Sequence, residues 1–495
     1  MIRAVPAIAG AACVFGFAPF YAWPVPIVAL AVLFTAWERS SSPRRAALAG
    51  FAFGLGYFLA GVSWVYVSLH DFGSMPAPLA ALATFLFCAF LAIFPALAGW
   101  LARRYAARNP ASLLALSAAA FTLCEWLRGW LFSGFPWLTV GTSQVPGGPL
   151  AGFAPIAGMY GVSLMVCLVA ATLAAAARSF EARGARWRVV AVAAAILAAG
   201  GALRWIDWGS PAGPPVRMAL LQGNVAQELK WREEIRTRTL VEYRQMILDA
   251  QARVVVLPET ALPAFFDQLP EDYLASIRDG ARAAGKDVLM GIVEREFRAG
   301  EYDYYNTLLR LTGPRQAYRK RHLVPFGEYI PPGFKFVLAV LKIPLSDFAS
   351  GGADQAPLEA GGVSFAVAIC YEDIFGEELI GALPRAQALV NVSNDAWFGE
   401  SFAADQHLQA SQARALESSR WMVRATNTGA TAAIDEKGRV VARLAPFTAG
   451  TLIADVTPRK GQTPYVLFGN LLAIACALVL AAIAWNIGRR PEPQQ

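Results

Sequence analysis

The stretch Val363–Asp373 reads VSFAVAICYED and joins an apolar run to a polar turn. The residues up to Ile369 are apolar and rich in β-branched side chains, which predicts a short buried β-strand. Cys370 follows this strand at once, with Glu372 and Asp373 beside it. A thiol at the end of a buried strand is held at a fixed place on the rim of a sheet, so Cys370 is a candidate nucleophile. A buried structural cysteine is the alternative interpretation.

The positions of the other cysteines favour the nucleophile. They all lie in long apolar segments, where cysteine usually acts as a small hydrophobic residue: Cys13, Cys88, Cys124, Cys167 and Cys476. Cys370 alone lies in a region of mixed polarity, and no second cysteine there could form a disulfide with it.

The overall composition indicates a membrane protein of more than one domain. The chain has 495 residues, of which 56% are hydrophobic and 16% charged, and its mean hydropathy is +0.42. In soluble proteins, roughly a quarter of all residues are charged. Three histidines and no cysteine pairs at zinc-binding spacing argue against a metal site.

Eight apolar segments approach the roughly 20 residues that a membrane helix needs. They are predicted at residues 5–22, 24–37, 47–69, 79–102, 112–132, 152–177, 188–204 and 464–487. Pro19 and Pro24 interrupt the first two, which are short. A cleavable signal peptide is the alternative for the first segment, although no polar domain follows it.

The arginines predict the orientation of these segments. They cluster in alternate loops and at the end of the chain, at positions 39, 44, 45, 103, 104, 108, 178, 183, 186, 188, 489 and 490. The other loops, such as HDFGSMPAP and VPGGP, have no Lys or Arg. By the positive-inside rule both termini are then cytoplasmic, and a polar domain before the last span lies on the outer side of the membrane. The formal net charge of +7 is therefore partly topological and needs no nucleic-acid partner.

The predicted domains are a helical bundle at residues 1–215, a catalytic domain at 216–458, and a final span with its tail at 459–495. Strands alternate with helices in the middle domain, which predicts sheets covered by helices. The predicted strands are 216–222, 253–259, 287–293, 306–311, 363–369, 388–393, 431–435 and 450–456, and the predicted helices are 232–251, 271–284 and 404–420.

Three further stretches of this domain contain candidate site residues. The strand RVVVLPE ends in Glu259, and partial burial would suit that carboxylate to general-base chemistry. The stretch YRKRHLVPFGEY contains Lys320, which could stabilise an oxyanion, and Glu328. The segment LLQGNVAQELKW ends in Trp231, which could line a pocket. A solvated loop, a basic surface turn and a core aromatic are the respective alternatives.

Together, LPET, KRHLVPFGEY, CYED and NVSNDAWFG resemble the motifs of the nitrilase superfamily, and most closely its membrane-embedded branch, the apolipoprotein N-acyltransferases. The resemblance covers the whole chain. It implies about eight transmembrane helices and an α-β-β-α sandwich domain on the periplasmic side of the bacterial inner membrane.

The same resemblance implies roles for individual residues. Glu259 is expected to be the general base, Lys320 the oxyanion stabiliser and Cys370 the nucleophile. Glu328 is expected to support Lys320 and the base. Two residues beside the nucleophile, Tyr371 and Glu372, and the pocket residue Trp231 complete the expected set.

The implied reaction needs no cofactor. A membrane phospholipid donates a fatty acyl chain to Cys370, and the thioester passes it to the α-amino group of a diacylglyceryl apolipoprotein. A membrane-tethered amidase that hydrolyses a small amide is the first alternative, and a transporter or receptor whose outer domain only binds is the second.

Two predictions concern the membrane part. The stretch FSGFPWLTVG (132–141) is too short to span, and we expect Trp137 to lie at head-group depth, on the route of acyl chains to Cys370. Glu125 and Arg128 are three residues apart and can pair on one helix face, which favours a structural pair over a substrate contact.

Overall fold

The computed structural model describes residues 4–106, 109–178, 183–230, 232–298, 300–331 and 347–489. The chain divides into two compact units. The helical unit consists of Met1–Tyr66, Pro78–Asp207 and Leu467–Gln495. The α/β unit consists of Trp208–Val466 and the short segment Val67–Ala77.

Proline and capping residues mark where several helices of the helical unit begin. Proline occupies the first position of three of them, where its missing N–H is not needed. The Asn109 side chain accepts a hydrogen bond from Ala111 N at 2.9 Å and so caps one helix. The helices are α1 (Ala4–Cys13), α2 (Pro24–Glu38), α3 (Pro43–Gly61), α4 (Val65–Val67), α5 (Ala77–Tyr105), α6 (Pro110–Arg128), α7 (Ala154–Arg178) and α8 (Arg183–Leu203), and α14 (Leu471–Arg489) near the end of the chain.

Four described stretches are long and apolar enough to cross a membrane: Ala77–Tyr105, Pro110–Arg128, Pro149–Arg178 and Leu471–Arg489. A bent pair, Pro43–Gly61 with Val65–Phe72, would add a fifth. The remaining predicted spans, at 5–22, 24–37 and 188–204, correspond to apolar helices that are shorter than the four above. In particular, α1 ends at Cys13 and α2 at Glu38. A membrane protein with several apolar helices is thus supported, at four to five spans by length and composition.

Close helix packing in this unit depends on small residues. A Cβ atom on Gly10 of α1 would lie 2.0 Å from the Phe53 carbonyl oxygen of α3. The two backbones can approach this closely only because the side chain is absent, as in many membrane helix pairs.

The predicted pair Glu125–Arg128 is confirmed, with 3.8 Å between Oε1 of Glu125 and Nη2 of Arg128. Glu125 also accepts hydrogen bonds from Val140 N at 2.7 Å and from Ser163 Oγ at 2.5 Å. Arg128 donates to the Trp137 carbonyl at 2.8 Å. These buried charges therefore tie the segment after α6 to the bundle.

The described residues of the α/β unit form two six-stranded sheets and a short two-stranded pair. The first sheet has the order β13-β2-β3-β4-β5-β6, and the second β12-β11-β10-β9-β8-β7. Their strands are β2 (Val216–Gln222), β3 (Val254–Val256), β4 (Asp287–Arg298), β5 (Glu301–Arg310), β6 (Gln316–Arg319), β7 (Leu358–Ala360), β8 (Val363–Ile369), β9 (Ala388–Ser393), β10 (Met422–Thr426), β11 (Ala432–Ile434), β12 (Val440–Arg443) and β13 (Gly450–Val456), while β1 (Ser210–Pro211) pairs with β14 (Arg459–Lys460).

The two large sheets pack face to face through one apolar core. Met218 and Val256 of the first sheet share this core with Phe365 and Val390 of the second. The outer face of the first sheet is covered by α9 (Glu233–Asp249) and α10 (Glu271–Ala283). The outer face of the second sheet is covered by α11 (Gly376–Ile380) and α12 (Ala403–Ser418), and a short helix α13 (Pro464–Phe468) follows the last strands. This layering is the α-β-β-α sandwich that the resemblance implied.

Parallel pairing gathers several strand ends at one edge of each sheet. In the second sheet β8, β9 and β10 are parallel. In the first sheet β2, β3 and β4 are parallel. Glu259 follows β3 of the first sheet and Cys370 follows β8 of the second, so each lies just beyond the carboxyl end of a parallel strand.

Candidate active site

Cys370 lies in a tight turn directly after β8. Its φ is +53°, a left-handed conformation that is uncommon for a residue with a side chain and is typical of functional turns. Its carbonyl oxygen accepts hydrogen bonds from Asn391 Nδ2 at 3.1 Å and from the His407 ring at 3.1 Å. These two bonds fix the turn and therefore the direction of the thiol.

Glu259 is held by neutral donors. Its Oε1 accepts from Asn306 Nδ2 at 2.6 Å, and its Oε2 accepts from the backbone N–H of Asn394 at 2.8 Å. The residue is 7% exposed. A Cβ on Gly291 of β4 would lie 2.0 Å from the Pro258 carbonyl oxygen, so that glycine allows the Glu259 turn to fold over the neighbouring strand.

Lys320 follows β6 and is 1% exposed. Its Nζ lies 2.8 Å from Glu328 and 3.7 Å from Glu259 Oε1. Burial disfavours the charged lysine, but Glu328 and Glu259 raise its pKa above the ordinary value. Lys320 is therefore a fixed ammonium beside the candidate base.

The Cys370 thiol interacts electrostatically with both groups. Burial and then the Glu259 carboxylate raise its pKa above the ordinary value, while Lys320 and a hydrogen bond from Ser393 lower it. The resting group is accordingly a thiol, and it needs a base to become a nucleophile. We call Glu259, Asn306, Lys320, Glu328 and Cys370 the reactive cluster.

Glu372 ties the nucleophile turn to the lysine loop. Its Oε1 accepts from Tyr318 Oη at 3.1 Å, Arg321 N at 2.7 Å and His322 N at 3.1 Å, and its Oε2 accepts from Ile369 N at 2.7 Å. Burial raises the pKa of Glu372 to about 7, although the backbone N–H donors stabilise the carboxylate and act in the opposite direction. The side chain is fully buried, and its contacts position Cys370 relative to Lys320.

A second group of buried charges lies behind the nucleophile. Nη1 of Arg424 lies 3.0 Å from Asp373, and its Nη2 lies 2.9 Å from Asp395. His407 bridges the same carboxylates, with Nε2 at 2.8 Å from Asp373 and Nδ1 at 3.0 Å from Asp395. We call these four residues the support cluster.

The opposite charges of the support cluster stabilise one another, while its two cations repel. Burial opposes ionisation of Asp373 and Asp395, but His407 and Arg424 hold their pKa values below the usual range. Burial and Arg424, whose Nη2 is 2.8 Å from Nδ1, oppose a charge on His407. Asp373 and Asp395 nevertheless raise its pKa to about 9. Through His407, this cluster holds the Cys370 carbonyl.

The structure brings five of the predicted site residues together: Glu259, Lys320, Glu328, Cys370 and Glu372. Tyr371 follows the nucleophile, and its ring packs 5.1 Å from that of Phe375. Trp231 lies outside the described residues. Trp137 is 4% exposed, with its ring 4.9 Å from Trp64, and its place at head-group depth stays a prediction.

Sequence reasoning missed several residues that hold the site. Ser393 and Asn394 lie in NVSNDAWFG, a motif that was recognised without roles for its members. Asn306 begins the apolar run NTLLRL, where a polar residue at the end of a buried segment was the available signal. In the support cluster, Asp373 and Asp395 lie in the motifs CYED and NVSNDAWFG, whereas His407 and Arg424 had no such local signal.

Two family models match the chain, one after the other. Residues 9–172 match the apolipoprotein N-acyltransferase N-terminal domain, and residues 217–465 match carbon-nitrogen hydrolase. Curated relatives named apolipoprotein N-acyltransferase include those of Nitrosomonas europaea (50% identical over 97% of this chain and 97% of the relative), Chromobacterium violaceum (46%, 98% and 94%) and Methylococcus capsulatus (45%, 96% and 94%).

Proposed function

The chain belongs to the apolipoprotein N-acyltransferase family, and from this membership we propose that it moves a fatty acyl chain from a membrane phospholipid to the α-amino group of a lipoprotein's N-terminal diacylglyceryl-cysteine. The observation that carries the proposal is the pair Glu259 and Lys320, 3.7 Å apart, both of which shift the pKa of the Cys370 thiol. A thiol, a base and a fixed cation are the three groups that acyl transfer through a thioester needs.

In the first half of the reaction, Glu259 accepts the proton of Cys370 while sulfur attacks the ester carbonyl carbon of the phospholipid. The negative charge that forms on the carbonyl oxygen is stabilised by Lys320. The C–O bond then breaks, and the leaving oxygen takes the proton from Glu259. Lysophospholipid departs, and an acyl thioester remains on Cys370.

In the second half, the α-amino group of the acceptor attacks the thioester carbonyl, and Glu259 accepts a proton from the nitrogen. The C–S bond breaks, the amide is released, and the proton returns to the sulfur. The enzyme thus alternates between a free and an acylated form, which predicts ping-pong kinetics. No cofactor enters either step.

Supporting residues keep this geometry. Glu328, 2.8 Å from Lys320, positions the ammonium, so that it faces the reacting carbonyl without transferring its proton. Glu372 and Tyr371 set the turn of Cys370. Trp231 is proposed to line the acyl pocket, and Trp137 remains proposed for the route of the acyl chains.

Both substrates are anchored in lipid, which explains why the catalytic domain is joined to apolar helices. We propose about eight transmembrane helices in the bacterial inner membrane, with the catalytic domain periplasmic. The Arg-rich loops support cytoplasmic termini. Reporter fusions after Arg108 and after Pro214 should report opposite sides of the membrane, and the same side for both would contradict this topology.

A membrane-tethered amidase would use the same three groups, with water as the second nucleophile. It leaves the apolar helices without a role and is the less supported alternative. The direct test is N-acylation of a diacylglyceryl-cysteine peptide by the purified protein with phospholipid as donor. We expect activity in the wild type and none in folded Cys370→Ala, whereas equal activity of the two proteins would refute the assignment.

A further inference from the structure

A second buried lysine lies near the reactive cluster. Lys230 is in the turn between β2 and α9 and is 2% exposed. Burial of a charged lysine side chain is unfavourable, so its retention here requires a physical reason.

The topology places this turn beside Glu259. Glu259 follows β3, and β3 is the parallel neighbour of β2, which precedes the Lys230 turn. Gln227, in the same turn, accepts a hydrogen bond from Asn394 Nδ2 at 2.7 Å. The backbone N–H of Asn394 in turn donates to Glu259. One residue therefore connects the Lys230 turn to the candidate base.

The charges of the site explain what the second lysine could supply. Lys320 lies closer to Glu328 (2.8 Å) than to Glu259 (3.7 Å), so two carboxylates share one ammonium. Burial lowers the pKa of Lys230 to about 8, and the charge of Glu259 acts in the opposite direction. Lys230 is therefore still mainly protonated at pH 7, and its charge balances the second carboxylate.

We infer that Lys230 is a positioning residue for acyl transfer, whose ammonium offsets the second carboxylate of the site and so keeps Glu259 ready to accept the Cys370 proton. Among the described residues, Lys320 and Cys370 also interact with the charge of Glu259, and Glu328 shares Lys320 and Asn306 with it. Without Lys230 the two carboxylates share the Lys320 ammonium alone, so the charge balance of the site changes and the thiol loses part of its base.

The inference rests on the proposed function for its reaction, but the state of Glu259 also governs a simpler one. In alkylation by iodoacetamide, the sulfur of Cys370 forms a bond to carbon, iodide leaves, and the thiol proton passes to Glu259. This reaction needs neither lipid substrate. Its pH dependence therefore reports on the base even in a protein that does not transfer acyl groups.

The experiment uses the full-length protein in detergent, with iodoacetamide applied from about pH 5 to about pH 9. Mass spectrometry of the Cys370 peptide separates its alkylation from that of the other cysteines. The rate of Cys370 alkylation is plotted against pH, and the acidic limb of this profile is the range in which the rate falls as the pH is lowered. In Lys230→Met we expect the acidic limb to move up by about one pH unit. Acyl transfer near pH 6 should fall about tenfold, which is the rate change that one unit implies. Lys230→Arg, which keeps the charge, should return the limb toward the wild type.

Lys286→Met is the matched control. Lys286 is also buried, at 8% exposed. It lies directly before β4, outside the reactive cluster, and its Nζ donates to the Leu248 carbonyl at 2.7 Å. We expect this variant to lose stability and to keep the wild-type limb. If Lys230→Met does not fold, Lys230→Gln makes the same prediction.

An unchanged limb in a folded Lys230→Met or Lys230→Gln protein would overturn the inference. A shifted limb in a protein that shows no acyl transfer even as the wild type would support it and overturn the proposed function instead. The two results are therefore distinguishable.

Discussion

The support cluster is buried, and the reactive cluster is largely buried, with Glu328 and Cys370 partly exposed. Both contain carboxylates and cations, yet they bind their carboxylates differently. In the support cluster, each aspartate contacts charged groups at 2.8–3.0 Å. In the reactive cluster, Glu259 receives its short hydrogen bonds from an amide side chain and a backbone N–H, while the Lys320 cation is 3.7 Å away.

This difference follows from what each carboxylate must do. Charged partners make hydrogen bonds about twice as strong as neutral ones, so Asp373 and Asp395 are locked in the ionised form. A general base must accept and return a proton, which is easier when neutral donors hold it and the cation is displaced. We propose that the reactive cluster is arranged for proton transfer and the support cluster for rigidity.

The largest effect that should separate the two clusters is that of Glu259→Gln. The amide keeps the volume of the side chain but cannot take the thiol proton, so acyl transfer should fall by about 10²–10⁴-fold. The melting temperature should change little. The measurement is the rate of N-acylation at saturating substrates, beside a thermal melt in the same detergent.

Glu417→Gln is the control for that variant, since Glu417 is also buried and lies 2.7 Å from Arg414 outside the reactive cluster. We expect it to lower stability and to leave the rate near that of the wild type. A Glu259→Gln protein that lost stability but kept its rate would reverse the roles given to the two clusters.

The next effect concerns Arg424→Met, which leaves Asp373 and Asp395 buried without their guanidinium. Removing one partner from a buried charge network destabilises a protein by about 3–5 kcal/mol. We expect a much lower melting temperature and a smaller rate loss per folded molecule than in Glu259→Gln. Thermal unfolding and active-site titration of Cys370 measure the two quantities separately.

Arg420→Met provides the comparison for Arg424→Met. Arg420 is also buried, but it donates to backbone carbonyls, such as Ala386 O at 3.2 Å and Gly461 O at 2.6 Å. None of these acceptors is a carboxylate, so removing Arg420 leaves no buried negative charge unpaired among them. The loss of stability should therefore be smaller than in Arg424→Met. Equal losses in the two variants would mean that charge pairing is not what the support cluster contributes.

The smallest predicted effect is a pH dependence of stability that comes from His407. Its pKa is raised from 6.5 to about 9, so the folded state binds the proton more tightly than the unfolded state. This contribution, up to about 3 kcal/mol, is fully present below pH 6.5 and is lost as the pH rises through about 9.

We therefore expect the melting temperature of the wild type to fall between about pH 6.5 and about pH 9, and that of His407→Gln to start lower and fall less. Melts at constant ionic strength measure the difference between the two proteins. A parallel decline in both would show that His407 is not the titrating group.

The parts of the fold that could be predicted from sequence are strands made mainly of apolar residues. The bounds predicted for β2, β8, β9 and β13 agree with the structure. β8 and β9 are buried along their whole length, and such strands read as near-continuous apolar runs. The predicted strand 306–311 was too short at its start, since β5 begins at Glu301 with polar residues that pair along β4.

The strand β10 was missed for the same physical reason that the support cluster was. Its sequence MVRAT contains Arg424, and a charged residue normally argues against burial. Its partners Asp373 and Asp395 are 51 and 29 residues away in the sequence, so the pairing that makes this burial possible depends on the register of the folded sheet. By contrast, Glu259, Lys320 and Cys370 could be proposed from sequence because each belongs to a recognisable motif.

The central claim, a thioester on Cys370, is tested most directly by mass analysis of the protein after incubation with phospholipid alone. We predict about one lysophospholipid released per enzyme and one fatty-acyl mass added at Cys370, since a site that excludes water holds the thioester until an amine arrives. A diacylglyceryl-cysteine peptide should then remove the added mass and become N-acylated. Steady release of free fatty acid without an acceptor, and no acyl mass on Cys370, would contradict the account.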